Sequence, residues 1–413
     1  MIINPGSSRL HASTIAIDDP GALTRYVDGH DAAFLRGDDG FVALGEVARL
    51  DGASMDEADE WWTSFAADIE KESEMPGLVG TGPLGYGTFT FDPEHTSGHS
   101  AFVVPQTIIG RRDGVCWLTQ LGYDRVTPEL PSKKPEPQAP TELFFEDGQI
   151  SGADWLALIA HTAARLRDSG IEGVVLARDL QATAPQQVQP TWLLDQWRRN
   201  YGGSTCYLVD GLVGATPEIM VHRNGGLTTS RILAGTTQRL DNVDEAGEIA
   251  RLLSSSDRVR QHRLSVDSAA AALGAHMSGI HVPEAPFVLA LPDMLHLVTD
   301  ICGVTEPDFS TLALAAAVHP LSSVTGFPTD RARQILAETN FDRGRFCAPV
   351  GWIDAQGDGD WFVALRAAQL SPDWKGVTLY ASASVAPDTP PHNKLVSTEM
   401  KFALMRQFLT GNQ

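Results

Sequence analysis

The sequence holds 413 residues, 43% of them apolar, enough to bury a large core in two or three domains or in one large unit. Lys and Arg number 31 against 52 Asp and Glu, a formal charge of -21 that disfavours nucleic acid and anionic lipid, though a local cluster of cations could still hold a small anionic ligand. No run reaches the roughly 18 apolar residues that span a bilayer, no leader pattern opens the chain, and its four cysteines are scattered without a CxxC pair. A membrane, a disulfide framework and a zinc site are therefore not expected, and a cytoplasmic location is.

In chain order, residues 41–50, 85–91 and 101–109 alternate or run apolar between turn residues and predict short strands, with a helix over 56–72. Asp113-Gly114 marks a hairpin. Residues 1–125 thus form a sheet-rich region. Residues 126–141 follow as a linker, because the stretch 125–141 carries five prolines, which remove backbone donors and fix φ. Residues 142–413 make up the remainder. There Trp155, Leu158, Ile159, Ala163 and Leu166 keep helical spacing over 153–167, Gly170 closes that helix, and GVVLAR at 173–178 reads as a strand. A helix over 192–200 leads to strands near 205–208 and 218–222. Val259, His262, Val266, Ala269, Ala270 and Leu273 stripe another long helix, and a last helix covers 394–409.

Several separated segments carry a resemblance in order: GATPEIMV (214–221), LAGTTQR (233–239), LHLVTDICG (295–303), HPLSSVTGFP (319–328), FDRGRFCAPVGWID (341–354), VALRAAQL (363–370) and LYASASV (379–385). Together they resemble the chorismate-utilising enzymes. LGYGTFTFDP and VVPQTIIGRRDGVCWLT, nearer the N-terminus, resemble the isochorismate synthase branch. The resemblance implies an α+β fold in which large antiparallel sheets pack face to face, with helices outside and a buried pocket between. In that family Mg²⁺ holds the ring carboxylate of chorismate, a base activates water at C2, and an acid protonates the departing C4 hydroxyl. A hydroxyl leaves poorly without protonation, and a dianion in a desolvated pocket needs compensating charge.

Carried over by motif, Glu218 in GATPE stands at the general-acid position, and His296 matches a pocket histidine, the second catalytic candidate. Arg366 in VALRA matches the arginine that grips a carboxylate with its planar fork. Gly235 and Thr236 match a turn of backbone donors, while Tyr380, Ser382, Ser384 and Lys401 are expected to line the far end of the pocket. Without the family, Glu218 would read as a turn-capping carboxylate, Arg366 as a surface ion-pair partner and His296 as a satisfied core residue.

The sequence also departs from the family. Where KVVLAR supplies the lysine base, GVVLAR has Gly173. Where a KDRxEH helix and a final ExxETxxK helix supply glutamates for Mg²⁺, alignment on His262, Thr398 and Lys401 places Gln261, Lys394 and Ser397. Ser382 and Ser384 replace the glycines of the family's AGAG segment. An amide, an ammonium and a hydroxyl do not make the anionic oxygen shell that Mg²⁺ prefers, so no metal or other cofactor is expected. Glu399 lies about 200° around the helix from Ser397 and is expected to face elsewhere.

Lys394, Ser397 and Lys401 share one helix face, where Lys394 could contact a ligand carboxylate directly or simply reach solvent. Three readings stay open. One is a family member that binds chorismate or a related cyclohexadiene carboxylate with Mg²⁺-dependent isochorismate synthesis lost or altered; another is a non-catalytic binding or regulatory homologue. The third is a conventional isochorismate synthase in siderophore or menaquinone supply. No amidotransferase segment is recognisable, so ammonia chemistry would need a separate protein partner, whose identity is unknown.

Overall fold

The computed structural model describes residues 9–239, 244–292 and 294–411. Two large sheets dominate it, one of 13 strands and one of 10 among the described residues. Among the described residues every pairing is antiparallel except that of His11–Ala16 with Glu70–Ser73. The sheets pack face to face. Phe34, Phe41 and Tyr207 of the larger sheet enter the same core as Tyr86, Trp352 and Trp361 of the smaller, and the Phe41 and Trp352 rings meet edge-on at 5.4 Å.

The alternation of side chains along a strand buries the other face of the larger sheet as well. Leu35, Val42 and Leu208, each next in sequence to an inward-facing aromatic, pack instead with Leu193, Trp197, Phe402 and Phe408. Those residues belong to the helices Pro190–Asn200 and Pro391–Thr410, which cover that face. Helices Ser256–Gly274 and Thr311–Val318 pack against the smaller sheet, and Met55–Ala67 lies on the second of them. The α+β class and the helices outside agree with expectation.

Several boundaries are corrected. The expected strand over 41–50 is two, Asp39–Leu44 in the larger sheet and Ala48–Asp51 in the smaller, broken where Gly45 takes φ +63°. Likewise 101–109 divides into Ala101–Val104 and Thr107–Arg112, one in each sheet. An apolar run does not reveal a change of sheet, because both halves remain strand. The helix expected over 56–72 ends at Ala67, and Glu70–Ser73 pairs as an edge strand. Asp113 and Gly114 do turn a hairpin with φ of 51° and 79°.

The proline-rich stretch has no helix or strand but is tied down midway. The Lys134 amide donates to the Arg25 carbonyl at 2.6 Å, and Lys134 Nζ pairs with Asp31 at 3.0 Å. Strands from both sides of it share each sheet.

The last helix positions the pocket. Thr398, Phe402, Met405 and Leu409 form its buried stripe, leaving Lys394, Ser397 and Lys401 on an adjacent face. Glu399 turns away as expected, to the buried Arg178 at 2.8 Å.

Candidate functional site

Between these elements lies a cavity of about 1090 Å³. Its walls come from the strands Gly173–Thr183 and Gly376–Val385 of the larger sheet, Leu227–Gln238 and Met294–Thr305 of the smaller, and the helices Ser256–Gly274 and Pro391–Thr410.

Glu218 sits where the chain crosses from one sheet to the other. Strand Leu212–Thr216 belongs to the larger sheet and Ile219–Asn224 to the smaller, and Pro217 between them has no amide to continue a ladder. Glu218 is therefore not part of the strand expected over 218–222. Its amide donates to Thr216 Oγ1 at 3.2 Å, and its carbonyl accepts from Val363 at 3.3 Å. The side chain is only 1% exposed. Ser323 Oγ donates to Oε1 at 2.7 Å and the Leu233 amide donates to the same oxygen at 3.4 Å. Burial pushes the carboxyl pKa up to about 7, although Ser323, Leu233 and the positive charge of Arg366 pull the other way. Such a group can hold a proton near neutrality and deliver it.

His296 is placed by a bulge. Gly235, with φ +69°, interrupts the register between Ala234 and Thr236, and a Cβ there would come within 2.8 Å of the Arg258 carbonyl. Thr236 then faces His296, with Oγ1 and Nδ1 2.9 Å apart, while Arg366 Nη2 lies 3.4 Å from Nε2. Burial, then the fields of Arg366 and Lys401, lower the imidazole pKa well below its usual value, so the ring is neutral.

Arg366 has φ +45°, an uncommon conformation for a residue with a side chain. Trp197 Nε1 donates to its carbonyl at 2.6 Å, and its guanidinium lies over the Tyr201 ring at 5.1 Å. These contacts aim a planar cation at the chamber that holds Glu218.

The far end contains the positions at which the sequence is expected to depart from the family. Gly173, Gln261 and Ser384 come together. Gln261 Nε2 donates to Ser384 Oγ at 2.8 Å, and a Cβ on Gly173 would stand 3.8 Å from that nitrogen and 3.9 Å from that hydroxyl. Lys401 Nζ donates to the Ser382 carbonyl at 2.7 Å. Tyr380 stacks on Phe346 at 5.2 Å, its hydroxyl pKa raised by burial. Lys394 and Ser397 also line the cavity, and burial, then Arg258, lower the Lys394 pKa.

Every expected site residue thus lines one cavity. Residues that sequence reasoning missed do so too: Ser323, which binds the Glu218 carboxyl, Tyr201 under Arg366, and Arg258 beside Lys394. Signals existed for two of them. Ser323 lies within HPLSSVTGFP, and Arg258 precedes Gln261 by three residues, one helix face.

Comparison with known proteins supports the family resemblance. Residues 33–410 match the family described as chorismate binding enzyme. The chain belongs to that family. Among curated members, isochorismate synthase DhbC of Bacillus subtilis is 36% identical over 59% of this chain and 64% of its own length. The chain therefore matches less than two thirds of that relative. Isochorismate synthase EntC of Escherichia coli is 28% identical over 88% of this chain and 91% of its own. The fold is that of MenF, the menaquinone-specific isochorismate synthase of Escherichia coli, with a TM-score of 0.81 and 21% identity, covering 98% of this chain and 96% of MenF.

The chorismate-binding fold raises the question of Mg²⁺, and the donors at the aligned positions do not fit it. They are the Gln261 amide, the Lys394 ammonium and the Ser397 hydroxyl, with the Gln261 nitrogen turned to Ser384. Of the other carboxylates lining the cavity, Glu172 is ion-paired with Arg260 and Glu218 binds Ser323, while Asp257 and Asp388 remain. Among the described residues no cluster of three His, Cys, Asp or Glu side chains could hold a metal.

Proposed function

We propose that this cavity binds chorismate or a related cyclohexadiene carboxylate without Mg²⁺, and that Mg²⁺-dependent isochorismate synthesis is lost or altered. The observation that carries this reading is the pairing of one retained chamber with one rebuilt end. Glu218, His296 and Arg366 share the retained chamber, while Gly173, Gln261, Lys394 and Ser397 stand where the family resemblance expects a base and three metal-binding acids. A dianion can be held there by cations alone, but water has no amine at Gly173 to activate it.

On this reading Glu218 is the acid that remains. Arg366 is the cation that grips a carboxylate, with Tyr201 holding its guanidinium in place. Gly173 equally supports a second reading, a non-catalytic binding or regulatory homologue that keeps the ligand and not the turnover. Product analysis by chromatography separates these from conventional isochorismate synthesis. With chorismate and Mg²⁺, turnover of about 1 s⁻¹ or faster, inside the ordinary enzyme range, overturns the proposal. Calorimetric binding of chorismate in EDTA supports it. Binding without any product favours the second reading.

A further inference from the structure

Several buried or half-buried cations in this protein have an acid partner. Arg178 meets Glu399 at 2.8 Å, Arg345 meets Asp210 at 2.6 Å, Arg49 meets Asp210 at 2.9 Å and Lys134 meets Asp31 at 3.0 Å. Arg258 and Lys394, both half-buried, have none among the described residues. They project from separate helices, Ser256–Gly274 and Pro391–Thr410, into one end of the cavity. Among the described residues neither side chain has an ion pair or a hydrogen bond, and the charge that acts on Lys394 is the like charge of Arg258. Asp257 and Asp388 line the cavity as well, but pair with neither. Two half-buried cations that line one cavity without an acid paired to either repel, and an anion bound between them removes the repulsion.

The cavity therefore has a second positive pole, formed by residues other than Arg366. A divalent cation would be repelled there, whereas a carboxylate would receive a guanidinium fork from one helix and an ammonium from the other.

We propose that Arg258 and Lys394 form a direct carboxylate clamp, so that the cavity selects dicarboxylates, one carboxylate held by this pair and the other by Arg366, with no metal ion between. This rests on the reading that the cavity takes an anionic ring ligand, and it names how the second carboxylate is held.

Calorimetry in EDTA with two aromatic probes tests it, 3-(carboxymethoxy)benzoate as the dicarboxylate and 3-methoxybenzoate as its monoacid counterpart, with chorismate alongside. The dicarboxylate is expected to bind the wild type about tenfold or more tightly than the monoacid, from one extra charge-assisted contact. Arg258→Gln and Lys394→Gln should each remove most of that advantage, Lys394→Arg should keep it, and Mg²⁺ should add nothing. An advantage that survives both neutral variants, or that needs Mg²⁺, overturns the clamp while leaving the proposed ligand class standing. Probes that follow the expected pattern while chorismate does not bind support the clamp and overturn that ligand. Absence of binding by all three compounds overturns both.

Discussion

Arg366 fixes the tautomer of His296. A guanidinium donates and cannot accept, so the imidazole Nε2 that lies 3.4 Å from Arg366 Nη2 carries the lone pair, and the ring proton sits on Nδ1, donated to Thr236 Oγ1 at 2.9 Å. The Thr236 hydroxyl proton is thereby released toward other acceptors. Burial, Arg366 and Lys401 all disfavour the imidazolium, so the folded pKa lies below the unfolded one. The ring's contribution to stability is full above the unfolded pKa of about 6.5 and declines as pH falls below it. Nitrogen NMR of histidine-labelled protein is expected to show His296 neutral and Nδ1-protonated at pH 6. A doubly protonated ring at that pH, or a proton on Nε2, contradicts the arrangement.

Glu218 gives a pH dependence of opposite sense. Its folded pKa, about 7, exceeds the unfolded value, so between pH 4.5 and 7 the native state holds a proton that the unfolded chain has lost. Stability falls as pH rises through that window and levels off above it. In Glu218→Gln this contribution is absent. The difference in unfolding free energy between the variant and the wild type should move in the variant's favour by roughly 3 kcal/mol from pH 4.5 to pH 8. Denaturant titrations at four or five pH values measure it. A difference that stays flat would mean that the carboxyl is ionised in the native protein.

Arg366 is expected to dominate affinity at its pole. Arg366→Ala removes a charge-assisted contact and the Tyr201 stack, and should weaken binding of a carboxylate ligand by roughly 30- to 100-fold. Arg366→Lys keeps the charge but neither the fork nor the stack, and should recover less than half of that loss in free energy. Equal affinity of the lysine variant and the wild type would show that only net charge matters there.

Motif order made the chamber of Glu218, His296 and Arg366 legible in the sequence, and the reason is local. Glu218 follows Pro217 at a change of sheet, and Gly235 makes a bulge that only a small residue permits, so their short signatures encode backbone geometry as well as chemistry. The last helix was legible too, because spacing alone separates the stripe of Phe402, Met405 and Leu409 from the face of Lys394 and Lys401. Less visible were contacts made across long sequence separations. Ser323 is 105 residues from Glu218, and Gln261 is 123 residues from Ser384. Nothing in either segment alone announces the partner. The divided strands over 41–50 and 101–109 escaped for a different reason, since hydrophobic pattern reports burial and not which sheet provides it.

The proposed divergence at Gly173, Gln261, Lys394 and Ser397 makes a prediction about restoring the family's expected residues. A side chain on Gly173 would put its Cβ 3.1 Å from the Val385 carbonyl, closer than ordinary contact, while Gln261 and Ser384 leave room beyond at 3.8 and 3.9 Å. Gly173→Lys should therefore fold, at a cost of about 1 kcal/mol for displacing that carbonyl. It should not by itself create isochorismate synthesis, because the new ammonium enters an end already carrying Lys394 and Arg258, with no cluster of three acids that could hold a metal among the described residues. Gln261→Glu, Lys394→Glu and Ser397→Glu made together reverse that field and replace the Gln261 to Ser384 hydrogen bond with an acidic oxygen shell. This triple variant is expected to bind Mg²⁺ in calorimetry where the wild type does not, and only with Gly173→Lys added should chorismate turn over to isochorismate. Turnover by Gly173→Lys alone would show that the cations at Lys394 and Arg258 already do the work of the metal in catalysis as well as in binding. Failure of the triple variant to bind Mg²⁺ while still folding would mean that Gln261, Lys394 and Ser397 do not occupy the family's metal-binding positions.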